Sequence, residues 1–293
     1  MFPEKVDKVI IDGVQNPHEY YNDYADIEEW SDTDAEFSQI FEHCVKNSGA
    51  CPFSRSGVPA AELEQSVWDL LEKLDTHPVA IGDYIVDRPA LIYLISEALY
   101  STTSWPNITT TFDMLINGPQ DIPFLREMFR DPAGNVEDLP EEFLTIAQSI
   151  LGIHCGDRAA RAGSLEALTP TLEKMANISR IFDGVPGYIN LPCAQWQFEP
   201  KERYTGDFQV TPRNPVLIIG NTWDGLTPLR SAKNVSSGFE GSVVLEVQGH
   251  GVSYTPAHWS HPTACTLLEI RTNCNFTLAY LCEDTISLRP ASN

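Results

Sequence analysis

Two strand-like runs near the carboxyl end of the chain constrain the fold more than any other feature of the sequence. Residues 215–220 (PVLIIG) are apolar without alternation, which is typical of a strand buried on both faces of a parallel sheet. Residues 242–247 (SVVLEV) predict a second strand, and residues 229–239 between them have helical spacing after Pro228. Strand, helix and strand in this order predict a βαβ unit, and therefore an α/β fold.

Asp224 and His250 lie just after these two predicted strands. Both residues are therefore expected at the carboxyl ends of parallel strands, where open α/β sheets place their sites. An acid in that position can orient an imidazole and stabilise its charged form, while the other ring nitrogen takes a proton from a nucleophile. Each residue alone is also compatible with a helix cap or an exposed loop position. Their joint placement favours the acid and the base of one catalytic relay.

The segments that carry both residues resemble those of the α/β-hydrolase superfamily, and within it the serine hydrolases related to tripeptidyl aminopeptidases and proline iminopeptidases. The resemblance lies in residues 215–228 (PVLIIGNTWDGLTP), 241–251 (GSVVLEVQGHG) and 1–14 (MFPEKVDKVIIDGV), with weaker similarity at 153–157 and 193–196. It implies a partial α/β-hydrolase fold, with few parallel core strands and a large inserted helical cap. It also implies a peptidase-like or esterase-like protein that acts on a peptide or small-molecule substrate.

The catalytic serine of such hydrolases is the feature that this sequence does not contain. In the family it lies in a G-x-S-x-G turn upstream of the segment that matches residue 1, and no G-x-S-x-G occurs in the 293 residues. The resemblance therefore implies the carboxyl-terminal portion of a hydrolase, with the Asp and His of a Ser-His-Asp triad but neither the Ser nor the oxyanion-hole loop. On this basis we do not expect triad hydrolysis by this chain alone.

Three functions are compatible with these observations. In the first, the chain is a serine-hydrolase-family protein whose nucleophile comes from another chain or from a lost upstream segment. In the second, it is a non-hydrolytic biosynthetic or ligand-binding protein that retains the cap pocket. In the third, it is an inactive truncated product. Ser253, which follows His250 closely, offers a substitute nucleophile without a rigid turn.

The patterns divide the chain into three regions. Residues 1–14 are interpreted as a core strand, residues 15–213 as a mainly helical cap, and residues 214–293 as the C-terminal core with the acid and base loops. The open edge of the first strand predicts self-association or a partner chain that supplies the amino-terminal half.

The cap is predicted to be all-helical. Its predicted helices cover residues 37–45, 63–74, 89–100, 109–116, 141–151 and 165–176. Large aromatic side chains in this region either fill the cap's own core or line a substrate pocket. The candidates are Trp105, Phe112, Phe129 and Trp196.

The cysteines and the glycosylation sequons are typical of a secreted lineage. Seven cysteines accompany four N-x-S/T sequons, at Asn107, Asn177, Asn234 and Asn275. The family resemblance implies disulfides Cys155–Cys193 and Cys265–Cys282. Cys44 and Cys51 are close enough in sequence to close a small loop, which leaves Cys274 unpaired. No signal-peptide pattern follows Met1. Any export signal of this lineage is therefore expected upstream of the segment that matches residue 1.

Composition excludes several classes of partner. Forty-one acidic residues against 19 basic ones give a formal charge of −22, which opposes binding to nucleic acid and to anionic membranes. No stretch reaches the ~18 apolar residues of a membrane span. The sequence has no C-x-x-C pair and no H-E-x-x-H motif, so we expect neither a metal nor another cofactor.

Overall fold

The computed structural model describes residues 3–82, 84–118, 122–129, 141–182, 187–252, 266–267, 280–281 and 286–290. The α-helices in these ranges are α1 (Pro17–Asn22), α2 (Thr33–Lys46), α3 (Ala60–Leu74), α4 (Arg88–Leu99), α5 (Trp105–Asn117), α6 (Ile122–Met128), α7 (Glu141–Asp157), α8 (Thr169–Ile178), α9 (Gly187–Ala194) and α10 (Leu229–Ser237). The β-strands are β1 (Ile10–Asp12), β2 (Val79–Ile81), β3 (Tyr84–Val86), β4 (Leu217–Trp223), β5 (Val243–His250), β6 (Thr266–Leu267), β7 (Tyr280–Leu281) and β8 (Ile286–Pro290). Short 3₁₀ helices cover Pro3–Lys5, Glu28–Trp30 and Thr102–Ser104.

The main sheet has the strand order β1-β4-β5-β8. Strands β1, β4 and β5 are parallel, whereas β8 runs antiparallel to β5. Helix α10 connects β4 to β5, so the predicted βαβ unit is confirmed. The structure thus combines helices with a small, mostly parallel sheet, which is compatible with a partial α/β fold.

The packing of α10 against β4 follows from the apolar pattern of the sequence. Ile218 is fully buried in the sheet, and Leu229 and Ala232 of α10 belong to the same hydrophobic cluster. A Cβ atom at Gly220 would lie within 3.0 Å of Leu229 and 3.1 Å of Ala232. Glycine at this position therefore lets the helix approach the strand closely.

A larger hydrophobic core lies among the helices between β1 and β4. The buried face of α3 carries Leu63, Val67, Leu70, Leu71 and Leu74, which is the spacing that predicted this helix. The ring of Phe41 contacts those of Phe37 and Phe112 at centroid distances of 4.9 and 6.0 Å. Burial of each large apolar side chain stabilises the fold by about 1.5–3 kcal/mol, so this region has its own substantial source of stability.

The six predicted helices correspond to α2, α3, α4, α5, α7 and α8. The prediction that this region is all-helical is wrong, because β2 and β3 form an antiparallel hairpin within it. Each hairpin strand has only three residues, too few to give an alternating pattern, and Gly82 at the turn adopts a positive φ of 62°. Helix α8 begins later than predicted because Pro170 occupies its first turn.

Two of the expected disulfides are present, Cys44–Cys51 and Cys155–Cys193. The expected pair Cys265–Cys282 and the expected free Cys274 lie outside the described residues. Within the described ranges, no helix combines the length and the apolar character needed to cross a membrane.

Candidate functional site

Asp224 follows β4 directly and is almost completely buried. Its Oδ1 accepts hydrogen bonds from the backbone N–H groups of Leu226 (3.0 Å) and Thr227 (2.7 Å), and its Oδ2 lies 2.7 Å from Thr227 Oγ1. Burial raises the pKa of Asp224 to about 6, although these hydrogen bonds lower it. In this structure the carboxyl group is thus directed toward its own loop, as in an Asx-turn.

Thr227 connects this loop to the end of β5. Its Oγ1 lies 3.0 Å from the carbonyl oxygen of Val252 as well as 2.7 Å from Asp224. One hydroxyl proton can be donated fully to only one acceptor at a time. A protonated Asp224 could donate to Thr227, which would leave the Thr227 proton for Val252.

His250 is the last residue of β5, rather than the residue after it as the sequence indicated. Its ring lies among three other rings, with centroid distances of 4.8 Å to His43, 5.2 Å to Trp105 and 6.4 Å to Trp223. Its Nε2 is buried and has no hydrogen-bond partner among the described residues. Burial lowers the pKa of His250 to about 4, and His43 lowers it as well. The imidazole is therefore neutral near pH 7, which is the form of a proton acceptor.

The fold brings Asp224 and His250 to neighbouring strand ends, since Trp223 and His250 are paired in the register of β4 and β5. Their side chains do not meet: within the described residues, the hydrogen bonds of Asp224 involve Leu226 and Thr227, and none involves His250. The same part of the chain provides no hydroxyl group that bonds to the His250 ring. Ser253, the substitute nucleophile suggested by the sequence, lies outside the described residues.

Glu36 of α2 is a site residue that the sequence analysis missed. It is fully buried, and its two oxygens accept hydrogen bonds from two different loops: Oε2 from the N–H of Gly225 and Oε1 from the N–H of Gly251, both at 2.8 Å. Burial raises the pKa of Glu36 to about 8, the hydrogen bond from Gly225 lowers it, and nearby Asp224 raises it. The same helix supplies Thr33, whose hydroxyl donates to the Gly225 carbonyl, and His43, which contacts His250.

The sequence contains a pattern that could have identified Glu36 and His43. Glu36 and His43 flank Ile40 at spacings of four and three residues, so they share the face of α2 that predicted a buried helix. Polar residues on such a face need partners. The apolar positions of this helix predict its buried face but not the groups that Glu36 and His43 contact.

Two glycines allow α2 and α4 to approach the loops. A Cβ atom at Gly225 would lie 2.8 Å from Thr33 Cα and 2.9 Å from Glu36 Oε2. Gly251 has a φ of +90°, and a Cβ atom there would lie 2.7 Å from the Tyr100 carbonyl oxygen. The glycines after the acid and the histidine thus have a packing role that the sequence pattern alone did not explain.

A second buried polar cluster lies among the helices. Arg158, which follows α7 and is fully buried, forms an ion pair with Asp26 and donates to His154 Nε2 at 2.8 Å and to Asn190 Oδ1 at 3.2 Å. We call these four residues the Arg158 cluster. Neither cluster is a metal centre on its composition: within the described residues, no group of three or more His, Cys, Asp and Glu side chains could hold a metal ion.

Residues 180–260 match a family model described as TAP-like protein, within the α/β-hydrolases. The matched range contains β4, α10 and β5, and therefore both Asp224 and His250. The match supports the α/β-hydrolase superfamily and, within it, the TAP-like family. A comparison with curated proteins gave no match.

Proposed function

We propose that this protein is a serine-hydrolase-family protein in which His250 is the general base and Asp224 is the acid that supports it. The observation that carries the proposal is the buried Nε2 of His250, which has no hydrogen-bond partner among the described residues and lies at the strand end next to Asp224. A neutral imidazole with a free ring nitrogen can take a proton from a hydroxyl nucleophile, and a nearby carboxylate stabilises the imidazolium that forms. The substrate would be a peptide or an ester.

Asp224 must rotate away from Thr227 to perform this role. Its present hydrogen bonds come from the loop that follows it, and Thr227 has an alternative acceptor in the carbonyl oxygen of Val252. Such an exchange of partners keeps the Thr227 hydroxyl bonded while it releases one carboxylate oxygen. Catalytic hydrogen bonds are often incomplete in a free protein and form with the substrate.

The proposal assigns the nucleophile to a serine outside the described residues, either on this chain or on another polypeptide segment. Without a nucleophile, a triad retains only residual catalysis. The helices between β1 and β4 would act as the cap over the site. The contact between Trp105 of α5 and the His250 ring supports this role, because it places a helix of that region directly against the proposed base.

Labelling with a fluorophosphonate probe tests the proposal, because the probe reacts with an activated serine. If the serine belongs to this chain, we expect labelling of the wild type that is lost in His250→Ala and retained in His77→Ala, a control at an exposed position. Mass spectrometry of the labelled peptide would identify the serine. Labelling that is independent of His250 would contradict the proposal, and no labelling of the wild-type chain would exclude a nucleophilic serine on this chain.

A second candidate function is ligand binding without hydrolysis. It is favoured by the surroundings of His250, since aromatic rings from His43, Trp105 and Trp223 contact this ring. Such rings can pack against a bound molecule as well as support a base. A saturable change in tryptophan fluorescence on titration with short peptide amides, together with no probe labelling, would favour this function.

A further inference from the structure

One buried carboxylate of α2 is bonded to both loops of the candidate site. We define the acid loop as residues 224–227 and the base loop as residues 250–252. Glu36 reaches the acid loop through the Gly225 N–H and the base loop through the Gly251 N–H, with the same distance of 2.8 Å on each side. Because the two oxygens belong to one rigid planar group, the two bonds constrain the distance between the loops, together with a second bond from the Gly251 N–H to the carbonyl oxygen of Trp223 at 2.9 Å.

Other contacts hold one loop at a time or lie within the site itself. The hydroxyl of Thr33 donates to Gly225 in the acid loop, and Asn221 Nδ2 donates to the Gly251 carbonyl of the base loop at 2.8 Å. Thr227 does connect the loops, but it is a member of the acid loop. Among the described residues, Glu36 is thus the side chain from outside both loops that bonds to the two of them.

The chemistry of the carboxylate suits this role. An ionised carboxylate accepts hydrogen bonds on both oxygens, and the protonated group, which a pKa of about 8 favours near pH 7, adds one O–H donor but keeps accepting capacity for both N–H groups. An amide of the same shape has one accepting oxygen and one donating nitrogen, so one loop N–H would face a second donor. Since Glu36 is fully buried, water cannot easily replace it as the acceptor of the Gly225 N–H, whereas the Gly251 N–H retains the carbonyl oxygen of Trp223 at 2.9 Å.

We propose that Glu36 is a positioning residue that sets the spacing of the acid loop and the base loop, and through it the place of the His250 ring against His43 and Trp105. Its importance for catalysis rests on the function proposed above. The close approach that it requires is provided by Gly225 and Gly251, at each of which a Cβ atom would overlap a neighbour. The helical region and the sheet are therefore joined at the proposed catalytic residues themselves.

A titration of the wild-type protein provides the first test. The amide resonances of Gly225 and Gly251 are followed by NMR as the pH passes the pKa of Glu36, which burial raises to about 8. Because one carboxyl group accepts from both amides, we expect both resonances to move with the midpoint of the Glu36 carboxyl carbon. Separate midpoints, or movement of a single amide, would overturn the proposal. This measurement needs no variant to fold.

A pair of variants provides the second test. In Glu36→Gln we expect hydrogen exchange at one or both glycine amides to accelerate by about tenfold, as for loss of a buried hydrogen bond. The pKa of His250, which is about 4 in the intact site, should rise toward its ordinary value of 6.5 as the base loop loosens. Thr33→Val, which releases only the acid loop, should leave the Gly251 amide and the His250 pKa unchanged. Equal effects of both variants would mean that Glu36 stabilises the fold without positioning the base.

These measurements use no substrate, so they separate this inference from the proposed function. Shared midpoints with no fluorophosphonate labelling would keep the positioning role of Glu36 and remove hydrolysis by a serine of this chain. Labelling that depends on His250, with independent titration of the two amides, would keep the proposed hydrolysis and remove the positioning role of Glu36.

Discussion

Two partly buried histidines of this protein have surroundings that are built on different principles. In the Arg158 cluster, His154 accepts a hydrogen bond from a guanidinium group that is itself paired with the carboxylate of Asp26. At the candidate site, His250 is surrounded by aromatic rings, and its Nε2 has no partner among the described residues. The first arrangement uses the hydrogen-bonding capacity of the ring within the fold, whereas the second leaves a ring nitrogen without a partner in the described part of the chain.

The Arg158 cluster joins the segment before α2 to α7 and α9, and the disulfide Cys155–Cys193 also joins α7 to α9. Buried charges of this kind must be compensated, because an unpaired charge in the interior is costly. We therefore infer a structural role for His154 and keep the chemical role of His250 as a proposal. The following predictions test that contrast, from the largest effect to the smallest.

Removal of the Arg158 guanidinium should cause the largest loss of stability. In Arg158→Met, Asp26 remains buried without its cation, so we expect the free energy of unfolding to fall by about 3–5 kcal/mol. Urea denaturation followed by circular dichroism measures this change. Lys233→Met is the matched control. The Lys233 side chain is more than half exposed, so its ion pair with Glu246 should contribute at most about 1 kcal/mol. A similar loss in both variants would show that the buried pair has no special role.

Substitution of the glycine after His250 should have the next largest effect. Gly251→Ala combines a positive φ of +90° with a Cβ atom 2.7 Å from the Tyr100 carbonyl oxygen. Gly241→Ala is the control, because it has a positive φ of +75° but no neighbour within 4 Å. The control should lose about 1–2 kcal/mol from backbone strain, and Gly251→Ala should lose about 1–3 kcal/mol more from the overlap. Equal midpoints of urea unfolding would mean that the base loop is not tightly packed against α4.

The pH dependence of stability should distinguish an unpaired His250 from a paired one. Its pKa is lowered to about 4 from 6.5 in the folded protein, so its stabilising contribution is complete above pH 6.5 and is lost as the pH falls toward 4. The advantage of the wild type over His250→Asn should therefore be smaller at about pH 5 than at about pH 7.5. An advantage that grows in acid would indicate an imidazolium paired with Asp224.

The carboxyl groups of the site have the opposite dependence. The pKa values of Asp224 and Glu36 are raised to about 6 and about 8, so their contributions are complete at acid pH and are lost as the pH rises through those values. In the wild-type protein these groups therefore oppose the effect of His250 on the pH dependence of the free energy of unfolding. The difference in this free energy between the wild type and His250→Asn isolates the contribution of His250.

The smallest effect is expected for the second imidazole. His43→Phe keeps a ring against His250 but removes the group that lowers the pKa of His250 in addition to burial. We expect the pKa of His250, measured by NMR titration of the ring protons, to rise slightly, and by less than in a variant that opens the site to water. A fall in this pKa would contradict the assigned influence of His43.

The sequence predicted the elements near the acid and the histidine well, and the region between β1 and β4 less completely. Six helices were identified because each has an apolar stripe long enough to detect. The hairpin of β2 and β3 escaped because its strands are three residues long, and α9 escaped because Pro192 lies inside it. Asp224 and His250 were predicted because each follows a strand-like apolar run, whereas Glu36 and His43 lie within a helix whose apolar positions give no sign of what its polar residues contact.

By itself, the sequence determined the βαβ unit and the placement of Asp224 and His250 at adjacent strand ends, since apolar periodicity and strand order are local properties of the chain. Only the tertiary structure decided which groups these residues contact. Glu36 is separated by 189 and 215 residues from the two glycines that it binds. Such partners depend on how α2 packs against the sheet, and the resulting burial, not the residue types, determines the raised pKa of the carboxyl groups and the lowered pKa of His250.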